Sequence, residues 1–425
     1  MGGLKRLIEG VLPRSVYRAL VKPYHFLITL LSAVRYGFPA KKLTVILVTG
    51  TKGKSSVTEM LFTVLRANGY PAAVAGTIRF AINDETRPNL YKMTMPGRGF
   101  IQHFLADAVS KGAKYAVIEV TSEATLQYRH LFLYPNALVF TNLQKEHIES
   151  HGSFENYAAA KLSIGKELAR SPKRPRAIIA NKDDEHSAPY LALPVESVLP
   201  FSYGEVENVT QGPGTVAFTL ENVRFDLRLP GSFSVMNALA VIRAAYFVGI
   251  TPEESARALR SLERIPGRTE RIDEGQDFQV VVDYAHTPDS LAALYGAYPV
   301  RKICVLGNTG GGRDTWKRPE MGRIADTMCD EVILTNEDPY DEDPSAIARA
   351  MAAGMERTPK IVMDRREAIR TALSLARSGD AVLITGKGTD PYIMEANGKK
   401  TPWSDATVVR EELTKLKGAP GTIGT

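Results

Sequence analysis

The stretch from Gly50 to Ser56 combines residue types that together bind the phosphates of a nucleotide. Gly50 and Gly53 allow the backbone to turn with its N–H groups pointing inward. Lys54 adds a positive charge, and Ser55 adds a hydroxyl oxygen for Mg²⁺. The other candidate nucleotide-binding residues of the loop are Thr51, Lys52 and Ser56. Its spacing, Gly-x-x-Gly-Lys-Ser, is two residues shorter than the general phosphate-binding pattern, and an ordinary glycine turn is the alternative interpretation.

Polar residues also follow the strands predicted around this loop. Four apolar residues at 45–48 predict a buried parallel strand before it. Glu119 lies at the end of a strand predicted over 115–120, and His147 follows another predicted over 137–142. Because ligands collect at the carboxyl ends of parallel strands, we expect Glu119 and the loop to face one site. Taken alone, His147 has an ordinary structural interpretation, and Lys161 that of a solvated charge on a good helix.

The order of elements predicts an α/β protein with a doubly wound parallel sheet. Residues 79–92 are polar and predict a surface loop, while short alternating runs over 195–229 predict antiparallel hairpins. The strand–helix alternation restarts at residue 279. We therefore predict a short basic, mostly helical segment (1–43), a central P-loop ATPase domain with a small antiparallel β part (44–268) and a Rossmann-like C-terminal α/β domain (269–425).

Composition excludes several classes of protein. The chain is 44% hydrophobic and 24% charged, which is ordinary for a globular protein. The net charge of +6 is concentrated in the segment that ends at Lys42, which carries eight Lys/Arg and one acidic residue. This distribution argues against a nucleic-acid surface spread over the body. Two cysteines cannot form a four-cysteine zinc site, and such low cysteine usage favours a reducing, cytoplasmic compartment.

The N-terminal segment carries an apolar run at 26–34 among basic residues. This run is too short to span a bilayer, which needs about 20 residues, and no cleavage site for a signal peptide follows. One interpretation places this basic and apolar segment on an anionic membrane surface. The other is a set of helices packed on the body of the protein with snorkelling basic side chains.

The order of motifs over residues 44–415 resembles the Mur ligase family, ATP-dependent enzymes that form amide bonds in peptidoglycan precursors, and most resembles its tripeptide synthetases. The matching segments are Thr-Gly-Thr-Lys-Gly-Lys-Ser-Ser (49–56), Thr-Asn-Leu (141–143) with His147 and His-Gly (151–152), Glu-Asn-Tyr-Ala-Ala-Ala-Lys (155–161), Pro-Gly-Arg-Thr-Glu (266–270), Val-Asp-Tyr-Ala-His-Thr-Pro-Asp (282–289), Gly-Gly-Gly-Arg-Asp (310–314) with Lys-Arg-Pro (317–319), and Gly-Lys-Gly (386–388). Each motif is weak alone, and the ordered set is specific.

The resemblance implies a reaction in which ATP phosphorylates a carboxylate and an amine then attacks the acyl phosphate. It implies four catalytic residues: Lys54, Glu119, His147 and Lys161. Two Mg²⁺ ions are implied, with Ser55, Glu119, His147 and Lys161 as ligands, the lysine being carbamylated. Besides the loop, the ATP-binding residues are Asn181, Arg268, Asp283, Tyr284 and His286. Since some of these follow the Pro-Gly-Arg-Thr-Glu hinge, we expect ATP to draw the domains together.

The same resemblance assigns the two remaining substrates. The residues implied for the sugar–peptide acceptor are Thr94, Thr121, Gln127 and Arg129. Those implied for the incoming amino acid are Arg313, Asp338, Tyr340, Gly386 and Asp390.

This sequence departs from the family at both substrates. Members that use diaminopimelate carry Asp-Asn-Pro-Arg, but residues 337–340 read Glu-Asp-Pro-Tyr, and the acidic side chains favour L-lysine or another diamino acid. The family also has a larger N-terminal domain for the uridine nucleotide, where this chain has residues 1–43. The acceptor is therefore expected to be a nucleotide-linked or a lipid-linked muramoyl peptide.

Two other functions stay open at this stage. The first is a folylpolyglutamate-synthase-like or other amino-acid ligase. The second is a non-catalytic, partner-dependent subunit like the amidating Mur-like protein, whose four-cysteine zinc insertion this chain cannot form. We expect a monomer that binds small molecules and no nucleic acid, in the cytoplasm, with residues 1–43 able to contact the inner face of the membrane.

Overall fold

A computed structural model describes residues 14–97, 99–146, 151–312 and 314–418. The described residues form two compact units. The first contains the described residues up to Tyr203 together with Asn237–Ala258, and the second contains Gly204–Met236 together with the described residues from Leu259 onward. The predicted boundaries at residues 43/44 and 268/269 stay predictions.

The first unit is built on an eight-stranded sheet. Its strands are β1 (Thr44–Thr49), β2 (Ala72–Ala75), β3 (Arg79–Ile82), β4 (Glu85–Pro88), β5 (Tyr115–Glu119), β6 (Ala137–Phe140), β7 (Ala177–Asn181) and β8 (Ser197–Phe201). They lie in the order β4-β3-β2-β5-β1-β6-β7-β8, and the six strands from β2 to β8 in this order run parallel. In this register Val48 lies opposite both Glu119 and Val139, so the ends of three strands meet at the loop that follows β1.

Helices flank this sheet along the chain, and the last two extend past the limits of the unit. They are α1 (Arg14–Arg35), α2 (Lys54–Ala67), α3 (Phe100–Ser110), α4 (Ser122–Leu126), α5 (Phe154–Arg170), α6 (Ala188–Leu191), α7 (Ser232–Phe247) and α8 (Pro252–Ser261). Apolar side chains from the strands pack against those of the helices, as Leu47 and Phe140 do with Phe104 and Ile164 in one buried cluster. In the described residues no helix is both long enough and apolar enough to cross a bilayer.

The prediction of a surface loop over residues 79–92 is wrong for residues 79–88. Residues 79–88 form the antiparallel hairpin of β3 and β4 at the edge of the sheet. Phe80 is buried and its ring lies 4.7 Å from that of Phe100. The outer strand β4 is exposed along its whole length. An edge strand can be entirely polar, and its composition then looks like that of a loop.

The second unit holds three sheets. A three-stranded antiparallel sheet contains β9 (Glu207–Gly212), β10 (Thr215–Leu220) and β11 (Val223–Leu227), which confirms the predicted hairpins for this part of the stretch 195–229. Its first part is different, because residues 197–201 form the parallel strand β8 of the first unit. A six-stranded sheet follows, in the order β12-β13-β17-β14-β15-β16, with only β12 antiparallel. Its strands are β12 (Glu270–Ile272), β13 (Gln279–Val282), β14 (Lys302–Leu306), β15 (Glu331–Leu334), β16 (Lys360–Ile361) and β17 (Ala381–Ile384). A two-stranded sheet pairs β18 (Tyr392–Met394) with β19 (Lys400–Pro402).

The helices after residue 287 pack on both faces of the six-stranded sheet, since two separate apolar clusters form on its alternating side chains. They are α9 (Pro288–Gly296), α10 (Lys317–Met328), α11 (Pro344–Ala352), α12 (Arg365–Leu375) and α13 (Asp405–Gly418). A buried ion pair between Arg365 and Asp405, 2.7 Å apart, joins the starts of α12 and α13. Cys304 and Cys329 form a disulfide, which the low cysteine usage did not lead us to expect.

Candidate active site

The phosphate loop turns sharply at two glycines between β1 and α2. Gly53 has a φ of 80°, and a Cβ at this position would lie 2.4 Å from Oδ1 of Asn237. Gly50 has a φ of 148°, and its Cβ would lie 1.9 Å from Oγ1 of Thr141. Both positions therefore require glycine because the loop backbone is pressed against neighbouring side chains.

The loop is fixed by hydrogen bonds to the residues that follow β6. The Thr141 hydroxyl donates to the carbonyl of Lys52 over 2.6 Å, and the N–H of Lys52 donates to Oδ1 of Asn142 over 2.8 Å. The N–H of Thr51 donates to the Asn142 carbonyl over 2.8 Å. The backbone groups that we predict to bind phosphate are thus held in place by two adjacent residues at the end of another strand, which would reduce the entropy lost on binding.

Two lysines and the start of α2 supply positive potential to the loop. Nζ of Lys54 donates to the carbonyl of Thr51 over 2.8 Å, so this side chain folds back over the loop. Nζ of Lys52 lies 3.1 Å from Oε1 of Glu146. Ser56 lies in the first turn of α2, where helix N–H groups favour an anion.

Glu119 and Ser55 form a buried pair of oxygen ligands beside the loop. The Ser55 hydroxyl donates to Oε1 of Glu119 over 3.0 Å, and the N–H of Thr77 donates to Oε2 over 2.8 Å. Glu119 is only 1% exposed. A carboxylate and a hydroxyl are hard oxygen donors that fit Mg²⁺. Within the described ranges no three His, Cys, Asp or Glu residues cluster as a metal site, and Mg²⁺ that keeps waters and phosphate oxygens does not need one.

Lys161 projects from α5 to the loop that follows β1, and it is 1% exposed. Its Nζ donates to the carbonyl of Gly50 over 2.6 Å and lies 5.0 Å from the ring centre of Tyr157. Burial lowers the pKa of Lys161 well below its ordinary value, and the nearby charge of Lys54 lowers it further. The structure therefore holds an amine whose neutral form is favoured directly beneath the phosphate loop.

A chain of hydrogen bonds leads from Glu119 to a second polar cluster. The hydroxyls of Thr77 and Thr94 are 2.8 Å apart, and Thr77 itself donates to Glu119. Near them, Arg129 donates to the carbonyl of Met95 over 2.5 Å and to the side chain of Gln127. Burial lowers the pKa of Arg129 from its ordinary value, although a guanidinium keeps its charge at neutral pH.

The second unit has its own polar cluster, at the end of β13. The guanidinium of Arg268 lies 4.3 Å from the ring centre of Tyr284, and the Tyr284 ring lies 4.6 Å from that of His286. Asp283 accepts hydrogen bonds of 2.6 Å from the N–H groups of Thr269 and Ala285. The negative charge of Asp390 raises the pKa of Tyr284 well above its ordinary value, and burial adds to this, so the phenol stays protonated.

Acidic side chains gather at the ends of β15 and β17 in that unit. Nζ of Lys387 lies 2.9 Å from Oδ1 of Asp338 and 3.5 Å from Oδ2 of Asp390. Glu337 is 3% exposed and accepts from the hydroxyl of Thr309 through Oε1, whereas its buried Oε2 has no hydrogen-bond partner among the described residues. A Cβ on Gly386 would clash with that oxygen, lying 2.3 Å from it. Burial, with the charge of Asp338, raises the pKa of Glu337.

Comparison with known proteins gives matches over both units. Residues 48–245 match the Mur ligase middle domain, and residues 267–388 match the Mur ligase, glutamate ligase domain. UDP-N-acetylmuramoyl-L-alanyl-D-glutamate--2,6-diaminopimelate ligase of Syntrophomonas wolfei is 37% identical over 385 residues, which cover 86% of this chain and 77% of the relative. This chain belongs to the Mur ligase family.

Two further similarities agree with this assignment. UDP-N-acetylmuramyl-tripeptide synthetase of Roseiflexus sp. (strain RS-1) is 36% identical to this Mur ligase over 420 residues, covering 91% of this chain and 81% of the relative. A solved structure of a UDP-N-acetylmuramoyl-L-alanyl-D-glutamate--2,6-diaminopimelate ligase is 29% identical with a TM-score of 0.60, covering 88% of this chain and 79% of the other. The predicted family and the predicted α/β fold are confirmed.

The structure brings most of the predicted site residues of this Mur ligase into these clusters. In the first unit, Thr121 precedes α4 directly, and Asn181 at the end of β7 accepts from the N–H of Asp183 over 3.0 Å. In the second, Tyr340 has a φ of 52°, and its N–H donates to the carbonyl of Met394 over 3.0 Å. His147 and Arg313 lie outside the described residues. The roles assigned to all of these residues stay predictions.

Several residues of these clusters, Glu337 among them, are not predicted site residues, and two of these link predicted residues to one another. Thr77 links Glu119 to Thr94, and its only signal in the sequence is its position after the small residues Ala75 and Gly76 at a strand end. Lys387 neutralises part of the acidic cluster, and its motif Gly-Lys-Gly was recognised without a role for the lysine itself. Neither contact can be predicted without the sheet topology.

Proposed function

We propose that this Mur ligase joins an amino acid to the terminal carboxylate of a muramoyl dipeptide at the expense of ATP. An oxygen of the acceptor carboxylate attacks the γ-phosphorus, and the bond to ADP breaks. The donor amine then attacks the acyl carbon, phosphate leaves, and the nitrogen loses a proton as the amide forms. Enzymes of this kind act chiefly by positioning the reactants and by stabilising charge.

The observation that carries this proposal is the buried amine of Lys161 on the Gly50 carbonyl, beside the Ser55–Glu119 pair. A nucleotide-binding switch needs a phosphate loop and a magnesium ligand, but it does not need a buried lysine beneath the loop. Lys54 and the loop N–H groups would bind the phosphates. Ser55 and Glu119 would hold Mg²⁺, which neutralises phosphate charge when bound.

We also propose that Lys161 carries a carbamate that supports a second Mg²⁺, with His147 as a further ligand. Carbamylation joins the carbon of CO₂ to the neutral nitrogen and releases one proton. The lowered pKa of Lys161 supports this step, because only the neutral amine is nucleophilic. The modification would turn a buried amine into a carboxylate-like group with hard oxygen atoms.

For the acceptor we propose the cluster of Thr94, Thr121, Gln127 and Arg129. The guanidinium of Arg129 is suited to a substrate carboxylate or phosphate, since such pairs are charge-assisted. The hydrogen bonds from Thr94 through Thr77 to Glu119 support a position of this cluster beside the phosphate loop. The acceptor would be a nucleotide-linked or lipid-linked muramoyl peptide, bound by a monomer in the cytoplasm.

For the donor we propose L-lysine or another diamino acid, although the first relative above is named for 2,6-diaminopimelate. Tyr340 takes the position at which family members that use diaminopimelate carry an arginine for the distal carboxylate of that amino acid. The Oε2 atom of Glu337 is a buried hydrogen-bond acceptor that is suited to an ammonium group. Asp338 and Asp390 form ion pairs with Lys387. We therefore propose that Glu337, rather than these two residues, binds the ammonium group of the incoming amino acid.

The test is release of phosphate from ATP by the purified chain with Mg²⁺. UDP-muramoyl-dipeptide is supplied with lysine, ornithine, diaminopimelate or a neutral amino acid, and the product is identified by mass spectrometry. We expect activity with a basic amino acid, and at least a hundredfold loss in Lys54→Ala. Absence of phosphate release with every nucleotide- and lipid-linked acceptor would overturn the proposed function, and pteridine polyglutamylation instead would reassign it.

A further inference from the structure

Helix α1 exposes an apolar stripe made of Tyr24, Leu27, Leu31 and Val34. These side chains are 57%, 51%, 56% and 56% exposed, respectively. Their spacing of three, four and three residues places them on one face of the helix. The opposite face carries Thr29 and Ala33, which are both buried. A surface helix normally buries its large apolar side chains, whereas α1 leaves these four exposed.

Contacts with the rest of the first unit hold α1 in this orientation. A Cβ on Gly99 would lie 2.2 Å from Oγ of Ser32, so the helix approaches the start of α3 very closely on its small-residue side. The hydroxyls of Thr29 and Ser32 donate to carbonyls of their own helix and need no partner outside it. Phe26 contacts Tyr128, with ring centres 6.1 Å apart. Rotation of the helix to bury the stripe would break these contacts.

The charged residues of α1 and of the segment directly after it are all basic. No Asp or Glu occurs in α1, while Lys22 and Arg35 are exposed on the helix and Lys41 and Lys42 are exposed shortly after it. The segment that ends at Lys42 carries eight Lys/Arg and one acidic residue, and acidic residues slightly outnumber Lys/Arg in the rest of the chain. Along the sequence, the excess positive charge therefore lies in the segment that contains the stripe and is absent, on balance, from the remainder.

We propose that α1 is an interfacial membrane-docking helix that binds an anionic phospholipid surface. The stripe would enter the boundary between headgroups and acyl chains, and the basic side chains would contact the phosphates. A second copy of this chain is a poor alternative occupant, because pairing two stripes would bring together two segments of like charge. No helix in the described ranges can cross a bilayer, so the binding would be peripheral.

Docking would place the membrane beside the proposed acceptor site. Phe26 of α1 contacts Tyr128, which lies between Gln127 and Arg129, and two more exposed apolar side chains, Met93 and Leu126, belong to the same neighbourhood. This consequence rests on the proposed function. The docking itself does not, so vesicle binding and ligase activity can fail separately.

The experiment is co-sedimentation of the full chain with lipid vesicles. We expect binding to phosphatidylcholine vesicles that contain phosphatidylglycerol to be at least about tenfold tighter than binding to phosphatidylcholine alone. The triple variant Leu27→Ser/Leu31→Ser/Val34→Ser should weaken binding to the anionic vesicles by at least about tenfold. The variant Lys22→Glu/Arg35→Glu should lose much of the preference for anionic lipid.

The control variant replaces exposed apolar side chains that lie outside α1. The variant Val198→Ser/Tyr246→Ser/Ile361→Ser changes exposed residues that lie outside α1, and it should bind vesicles as the parent does. Circular dichroism verifies that each variant is folded. The proposal is overturned if the parent does not bind anionic vesicles, if the stripe variant binds as well as the parent, or if the parent is a dimer that the stripe variant dissociates.

Discussion

Lys161 illustrates how burial changes the chemistry of one side chain. Its amine is enclosed beneath the phosphate loop, and its pKa is lowered by burial. We predict that Lys161→Ala lowers ligase activity at least a hundredfold, and that added short-chain carboxylic acids restore part of it by replacing the oxygens of the proposed carbamate. The measurement is phosphate release with increasing acetate or propionate.

Lys173→Ala is the matched control for that rescue. Burial also lowers the pKa of Lys173, to about 8, but its Nζ donates to the carbonyls of Ala40 and Leu43, away from the loop. Any activity lost in this variant should not return with added acid. Activity of Lys161→Ala equal to that of the parent would remove the carbamate from the mechanism.

His130 is a buried histidine whose neutral form is favoured in the folded state. Burial lowers its pKa from 6.5 to about 4. The unfolded state therefore binds more protons between these values, so stability falls as the pH decreases through this window. We predict that the parent loses on the order of 3 kcal/mol of unfolding free energy from this group between pH 6.5 and about 4. His130→Gln should not show this loss.

Urea denaturation at several pH values measures this effect. His186→Gln is the control, because His186 is about one-third exposed and pairs with the exposed Glu185 at the surface. Its pH profile should follow that of the parent. If His130→Gln shows the same slope as the parent over this window, His130 is not the group responsible.

Glu337 presents a buried carboxylate oxygen that has no hydrogen-bond partner in the part of the chain that the structure describes. An ammonium group bonded to it would contribute about 1.5–3 kcal/mol as a charge-assisted hydrogen bond. We predict that Glu337→Gln raises KM for the donor amino acid by about ten- to a hundredfold and leaves KM for ATP unchanged. Glu331→Gln, which removes a half-buried carboxylate paired with Arg301 and Lys360 at the surface, should change neither. Equal effects of Glu337→Gln on both substrates would indicate a structural role.

At the scale of elements, the phosphate loop is shaped by the strand beside it. Because Oγ1 of Thr141 occupies the space where a Cβ on Gly50 would lie, we predict that Gly50→Ala displaces the loop and weakens nucleotide binding by at least tenfold. Gly69→Ala is the control, since Gly69 also has a positive φ but no atom lies within 4 Å of its Cβ position. The second change Thr141→Ala should recover part of the affinity, measured by titration calorimetry. Unchanged binding in Gly50→Ala would contradict this packing.

Whole strands could be predicted from the sequence where a single cause, such as burial on both faces, sets the pattern of their side chains. Burial on both faces gives apolar runs such as those of β1, β5 and β6, and the strands predicted over 45–48, 115–120 and 137–142 agree with their limits to within two residues. The edge strand β4 was missed because its exposed side chains carry no pattern. The bonds of Thr77 to Glu119 and Thr94 join residues far apart in the sequence, and only the strand order brings them together. Motif resemblance supplied the remaining site residues.

At the scale of the whole molecule, ligand binding adds to the stability of the folded chain. A nucleotide that binds only the folded state stabilises it by about 2.7 kcal/mol when present at about 100 times its Kd. We predict that Mg²⁺ with a non-hydrolysable ATP analogue raises the Tm of the parent by a few degrees, because we propose that the loop N–H groups and Lys54 bind the phosphates. Differential scanning calorimetry measures this rise. Lys54→Ala should show little of it, whereas Glu337→Gln, which alters a carboxylate of the second unit, should show all of it. An equal rise in Lys54→Ala would mean that the nucleotide is bound elsewhere, and the phosphate loop would then not be the centre around which the chemistry of this Mur ligase is arranged.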